Sequence, residues 1–343
     1  MTAMFLSMVP HPNTRPCGTT IGELGPRFGL CATMGIATRK SVVYVTLSRP
    51  SPRSGERYNP TSLPVQRSRA TIAPGSQPPR IGEILMDMKI NGLRVLVTAG
   101  ASGIGLATAR AFAAEGARIL ICDIDEKALA AVAASDPKLS RVVCDVADPV
   151  TVDKLFDAVA ANLGGLDALV NNAGIAGPTA ACEEVALADW QRTIAINLTG
   201  QFLCAQRAIP LLKASSNPSI ANLSSAAGRF GYPMRTPYAA SKWGVVGFSK
   251  SLSGELGPFG IRVNAICPGF VAGPRIEHVL ASKAAARGVP TDVVRAEGLA
   301  KTSLKRFVTA EDIANAIVFL ASPAGMNISG HALPVDGDLQ ALM

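Results

Sequence analysis

Ser225, Tyr238 and Lys242 have the residue types and spacing for proton transfer at oxygen. Tyr238-Ala239-Ala240-Ser241-Lys242 sets tyrosine and lysine at i and i+4, on one face of a helix. A free phenol has a pKa of about 10, too high to trade protons near neutral pH. An ammonium one turn away favours the phenolate and lowers that value. Tyr238 would then exchange a proton with a carbonyl or alcohol oxygen. Ser225, 13 residues earlier in the chain, can hydrogen-bond the same oxygen. A lone Tyr-x-x-x-Lys is usually a solvated helix face, so the pair gains its meaning from what precedes it.

What precedes it is Leu93-Arg94-Val95-Leu96-Val97-Thr98-Ala99-Gly100-Ala101-Ser102-Gly103-Ile104-Gly105. This reads as a buried strand, a glycine-rich turn and the start of an amphipathic helix carrying Leu106, Ala109, Ala113 and Ala114. Such a unit gathers backbone N–H groups and the positive end of a helix at one point, which suits a pyrophosphate. Gly100, Gly103 and Gly105 permit the sharp turn and a close ligand approach, and Ser102 and Ile104 lie among them. Asp123 follows 18 residues after Gly105 at the end of a second apolar strand. A carboxylate there accepts hydrogen bonds from ribose hydroxyls and repels a 2′-phosphate, favouring NAD over NADP. The plainer alternative is that Asp123 caps the next helix. Asp145-Val146 ends a third strand at the same sheet edge and could line the adenine. Asn171-Asn172-Ala173-Gly174 ends a fourth, where Asn172, Ala173 and Gly174 either hold the cofactor or form a plain turn.

From Leu93 onward, strand-like and helix-like segments alternate. Strands are expected at Ala117–Asp123, Arg141–Asp145, Leu166–Asn172, Ser219–Ser224, Ile261–Ile266 and Ala332–Val335. Helices are expected at Asp125–Ala134, with Asp125 as N-cap, at Thr151–Leu163, Leu187–Ala214, Tyr238–Leu256 and Glu311–Ala321. The helix at Thr151–Leu163 carries Val152, Leu155, Phe156 and Val159 on one face. Apolar strands alternating with helices predict an α/β fold: one doubly wound, parallel, seven-stranded Rossmann-type sheet in a single domain.

Charge separates that domain from what precedes it. Residues 1–85 hold ten arginines and lysines against three glutamates, so they carry +7 of the chain's net charge of +8. They show no sustained periodicity beyond one possible strand, Ser41–Leu47. They read as a disordered basic extension, or as residues upstream of the true start, with the compact domain at 86–343. The near-neutral remainder gives no reason to expect a nucleic-acid groove, and no apolar run approaches the about 20 residues of a membrane span. Seven cysteines without a Cys-x-x-Cys pair, and only three histidines, suggest reduced thiols in a cytoplasmic protein without a metal site.

Over about residues 90 to 338 the chain resembles the short-chain dehydrogenase/reductase family. The resemblance rests on Thr98 to Gly105, Asn171 to Gly174, Asn197 within Ile196-Asn197-Leu198-Thr199-Gly200, Ser225, Tyr238, Lys242 and Pro268-Gly269. It implies Tyr238 as catalytic acid/base and Ser225 as the group that polarises the substrate oxygen. It implies Lys242 on the nicotinamide ribose, Asn197 holding a relay water, Pro268 and Gly269 near the nicotinamide, and a homo-oligomer, tetramer or dimer. The expected reaction interconverts a secondary alcohol and a ketone with NAD(H). An NADPH-linked 3-oxoacyl reductase is the alternative enzyme, and a non-catalytic dinucleotide sensor the alternative outside enzymes. Three departures stand out: Ala99 replaces the pattern's first glycine, Gly273 stands where many members carry a threonine that contacts the carboxamide, and Val335-Asp336-Gly337-Asp338 varies a common Val-Asp-Gly-Gly ending. The stretch Gly273–Arg306 is expected to set substrate identity. Arg229, Arg235 and Arg275 are candidates to meet an acidic substrate, although each reads first as a solvated surface charge.

Overall fold

The computed structural model describes residues 88–342 and the backbone of two strands nearer the N-terminus. The chain divides at Leu85/Met86 into two units. In the first, β1 (Cys31–Ala37) pairs antiparallel with β2 (Val42–Ser48), Cys31 opposite Ser48 and Ala37 opposite Val42. The strand expected at Ser41–Leu47 is therefore present, one residue further on, with a partner the sequence reading missed. The expectation of disorder elsewhere in residues 1–85 falls outside the described residues.

The second unit is built on seven parallel strands. These are β3 (Arg94–Thr98), β4 (Arg118–Asp123), β5 (Ser140–Val143), β6 (Ala168–Asn171), β7 (Ser219–Leu223), β8 (Arg262–Pro268) and β9 (Ala332–Val335). Their order is β5-β4-β3-β6-β7-β8-β9. The chain winds outward from β3 to β5 and then returns to β6, on the other side of β3. That reversal opens a crevice at the carboxyl ends of β3 and β6, where doubly wound sheets bind ligands.

Period-two alternation assigns the strand side chains to two faces. Val95, Val97, Ile119 and Ile121 pack with Ala109 and Phe112 of α1 (Gly103–Ala114) and with Ile313 and Ile317 of α9 (Ala310–Ala321). Leu96, Leu120, Leu169 and Ile220 face the other way. They meet Val152, Leu155 and Val159 of α3 (Pro149–Leu163), Cys204 and Leu212 of α5 (Gly200–Leu212) and Leu252 of α6 (Thr236–Leu256). Asp125 caps α2 (Glu126–Ser135) by accepting from the Lys127 and Ala128 N–H groups.

The structure corrects three readings of the elements. The third strand stops at Val143, because Asp145 turns the chain into α3: its Oδ1 accepts from Ala147 N at 2.9 Å and its carbonyl from Thr151 Oγ1 at 2.6 Å. The single helix expected over Leu187–Ala214 is two helices, α4 (Leu187–Ile194) and α5, joined by a π-helical turn at Ala195–Thr199. The stretch after β8 holds two helices not foreseen, α7 (Pro274–Arg287) and α8 (Thr291–Ala300).

Candidate active site

The glycine turn is shaped by close approach. A Cβ on Gly105 would come within 2.1 Å of the Ala99 carbonyl oxygen, so the first turn of α1 presses directly on the end of β3. Ala99 takes a left-handed φ of 48° and Gly103 one of 51°; the alanine departure keeps the turn and bears the strain of a Cβ in that region. Gly100 N donates to Cys122 O at 2.9 Å, tying the turn to β4. Ser102 sits at the N-cap of α1 without a side-chain capping bond, leaving the helix N–H groups to a ligand.

Asp123 closes this region. Its Oδ2 accepts from Ala101 N and its Oδ1 from Asp125 N, both at 3.1 Å, so the carboxylate spans the glycine turn and the approach to α2. The capping role goes to Asp125. Asp145 is spent on its own turn, and Val146 is buried against Gly200, whose added Cβ would sit 2.8 Å from Val146 Cγ2.

At the end of β6, Asn172 and Ala173 donate their backbone N–H groups to Thr98 Oγ1, at 2.9 and 3.0 Å. The Asn172 amide also donates to the carbonyls of Thr98 and Ala99, both at 3.0 Å. Asn172 thus clamps the glycine turn, and Thr98, known to the sequence reading only as part of a motif, supplies the hydroxyl that joins β3 to β6. Asn197 lies buried in the π-helical turn. Its Oδ1 accepts from Ile175 N at 2.7 Å, and its Nδ2 donates to Ile175 O and Ser241 Oγ, both at 3.0 Å. Ser241 Oγ in turn donates to the Tyr238 carbonyl at 2.7 Å. The extra residue of the π-turn thereby ties the β6 loop to the first turn of α6, a common use of such bulges near functional sites.

Ser225 begins a short 3₁₀ turn after β7, its Oγ accepting from Ala227 N at 3.1 Å. That turn lies flat on α6. A Cβ on Gly228 would fall 2.6 Å from the Lys242 carbonyl oxygen, to which Ser224 Oγ donates at 2.7 Å. Lys242 is buried, with Nζ donating to Leu223 O at 2.7 Å and lying 5.7 Å from the centroid of the Tyr238 ring. Burial, reinforced by the Arg275 charge, pulls its ammonium down to about 7. Gly269 N donates to Val335 O at 3.1 Å and a Cβ there would meet Asp336 at 2.7 Å, so Pro268-Gly269 is fitted tightly between β8 and the end of β9. Gly273 has φ 139°, a backbone conformation that threonine resists.

One cavity of about 460 Å³ joins these parts. Ser102, Gly103, Ile104, Asn172, Gly174, Ser225, Tyr238, Lys242, Pro268 and Gly269 all line it; Gly100, Gly105, Asp123, Asp145, Val146, Ala173 and Asn197 do not. Arg275 and Ile276 of α7 contribute a wall, with the Arg275 guanidinium donating to the Gly174 carbonyl. The glycine turn, the uncapped helix end and the fixed Asp123 carboxylate fit a dinucleotide. The three arginines part company. Arg229 pairs with Asp336 at 2.7 Å, Arg275 is exposed, and Arg235 is 2% exposed, so the reading of a solvated charge fails for Arg235.

The enoyl-(acyl carrier protein) reductase family model matches residues 98–339. D-threitol dehydrogenase of Mycolicibacterium smegmatis is 41% identical over 256 residues, covering 73% of this chain and 94% of its own. Cis-4-hydroxycyclohexanecarboxylate dehydrogenase of Sinomonas cyclohexanicum is 39% identical over 250 residues, 72% of this chain and 96% of its own. The solved structure of NAD⁺-bound xylitol dehydrogenase superposes with a TM-score of 0.70 at 30% identity, covering 73% of this chain and 99% of that one. Similarity that runs nearly the full length of these relatives takes in both the glycine turn and α6. This chain therefore belongs to the short-chain dehydrogenase/reductase family, oxidoreductases that act on CH–OH groups with a nicotinamide dinucleotide.

Proposed function

We propose that the chain interconverts a secondary alcohol and a ketone with NAD(H), and that Tyr238 moves the proton. The observation that carries this reading is the convergence of Ser225, Tyr238 and Lys242 with the glycine turn on one cavity. A bound nicotinamide supplies or takes up the hydride at the carbinol carbon. Ser225 Oγ already accepts from Ala227 N, which leaves its own hydrogen to donate to the substrate oxygen. The Tyr238 hydroxyl passes its proton to that oxygen in reduction and takes it back in oxidation. Lys242 contacts the ribose, and its ammonium favours the phenolate. Asn197, anchored on Ile175 and Ser241, holds the water that carries the proton onward.

Gly100, Ser102, Gly103, Ile104 and Gly105 hold the pyrophosphate in this reading, with Asp123 on the adenosine ribose. Asn172, Gly174, Pro268 and Gly269 line the path to the nicotinamide, with Ala173 behind them on Thr98 Oγ1, and the Asp145-Val146 turn stands at the adenine end. NAD is preferred to NADP because Asp123 offers a negative charge where a 2′-phosphate would need a positive one. The α7–α8 segment forms the substrate wall. Trp190, Phe202 and Trp243, exposed by 38, 45 and 51% on α4, α5 and α6, support a homo-oligomer. The five described cysteines are free thiols, which suits the cytoplasm.

Tyr238→Phe keeps the ring and removes the ionisable group. Cofactor binding and melting temperature should stay near those of the parent while kcat falls by about 10² or more. Near-normal turnover of a secondary alcohol would show that another group carries the proton.

A further inference from the structure

Arg235 is among the largest fully buried side chains of the molecule. A guanidinium stays charged at any working pH, and a buried charge is ordinarily paired with an opposite one. Among the described residues Arg235 has no such partner. Its Nη2 donates to the Ala176 carbonyl at 2.6 Å, its Nη1 reaches Thr179 Oγ1 at 3.5 Å, and its Nε has no acceptor. Arg94, Arg110, Arg207, Arg229, Arg287 and Arg295, all less buried, each pair with a carboxylate. Arg262 is also buried without one, but it donates to the Leu320 and Ala321 carbonyls at the negative end of α9. Arg235 has no helix end to answer its charge.

Its position says what would. Arg235 lines the same cavity as Tyr238, with Cζ 5.3 Å from the centroid of the Tyr238 ring and 5.4 Å from that of Tyr232. Three basic side chains line this cavity, Lys242, Arg235 and Arg275, and no aspartate or glutamate does. We infer that Arg235 is a specificity-determining residue that binds the carboxylate of a short hydroxy acid or oxo acid, next to the carbon on which Tyr238 acts. This inference rests on the proposed reaction site. The planar guanidinium has unused N–H donors, and a carboxylate matches it two oxygens to two nitrogens. Arg235 and Tyr238 line one cavity with Cζ 5.3 Å from the ring centroid, so one small molecule can meet both.

The test is calorimetric binding of 4-oxopentanoate and its methyl ester to the full chain saturated with NADH, in the parent, Arg235→Met and Arg235→Lys. The acid should bind the parent at least tenfold more tightly than the ester, a charge-assisted hydrogen bond being the difference. Arg235→Met should lose that preference and Arg235→Lys keep part of it. Melting temperature separates recognition from scaffolding: removing an uncompensated buried charge should not lower it in Arg235→Met. Equal binding of acid and ester, no binding of the acid, or unchanged acid binding in Arg235→Met overturns the inference. A fall in melting temperature with acid and ester binding lost together also overturns it, in favour of a structural role. Turnover is read separately: acid binding without oxidation of any secondary alcohol would sink the proposed reaction and leave the anion site standing.

Discussion

Lys242 Nζ donates to the carbonyl of Leu223, 19 residues earlier in the chain, at 2.7 Å. The bond draws the ammonium inward to the end of β7, where burial opposes its charge and Arg275 adds to the opposition. Lys242 is thus held beside the Tyr238 ring at a cost to the fold.

That cost has a pH signature. The folded-state pKa of Lys242 is about 7, against an ordinary value of 10.5. Between these values the unfolded chain carries a proton that the folded chain lacks, so stability rises with pH through this window. Below about 7 the folded chain bears the buried charge in full. Lys242→Met removes the group, so its stability relative to the parent should be greatest near pH 6 and fall by on the order of 3–5 kcal/mol by pH 10.5. Denaturant melts of the cofactor-free proteins across this range check it; a pH-independent difference would refute the buried charge.

Asp123 predicts the cofactor. Each of its oxygens accepts one backbone N–H group, from Ala101 and Asp125, which orients the carboxylate and leaves lone pairs for ribose hydroxyls. Asp123→Ala should weaken NADH binding by roughly 10- to 100-fold, the scale of hydrogen bonds to a charged group, and narrow the gap to NADPH. Fluorescence titration of both cofactors measures it. A parent chain that already prefers NADPH would overturn the assignment.

The unit beginning at Met86 is proposed to be self-sufficient. The chain divides at Leu85/Met86, and the relatives match over 94 and 96% of their own lengths while covering only 73 and 72% of this chain. A chain starting at Met86 should keep the parent's melting temperature and turnover. Loss of folded protein on removing residues 1–85 would show that the extension supports the fold.

Much of the cofactor half was legible in linear order because local rules act there. Val95, Leu96 and Val97 form a continuous apolar run, the mark of a strand buried on both faces, so β3 announces itself. Gly103 marks the turn by its left-handed φ of 51° and Gly105 because only a missing Cβ fits against Ala99, and Asp125 caps α2 through its own next residues. Tyr238 and Lys242 share a face because 3.6 residues make a turn. None of these depends on distant chain.

Tertiary structure alone decided the rest. The π-turn at Asn197 exists because its side chain answers Ile175 and Ser241, residues on other elements; along the chain, Leu187–Ala214 reads as one helix. Helices α7 and α8 were missed because they are poor in large apolar residues, and those they have, Ile276, Val279, Leu280 and Val294, form a separate small cluster. Arg229, Arg235 and Arg275 look alike in sequence. Folding pairs the first with Asp336, buries the second without a counter-charge among the described residues and leaves the third exposed at the rim. Residue type determines that an arginine is charged, whereas the burial and partners that give the charge its consequence come from segments far apart in the chain.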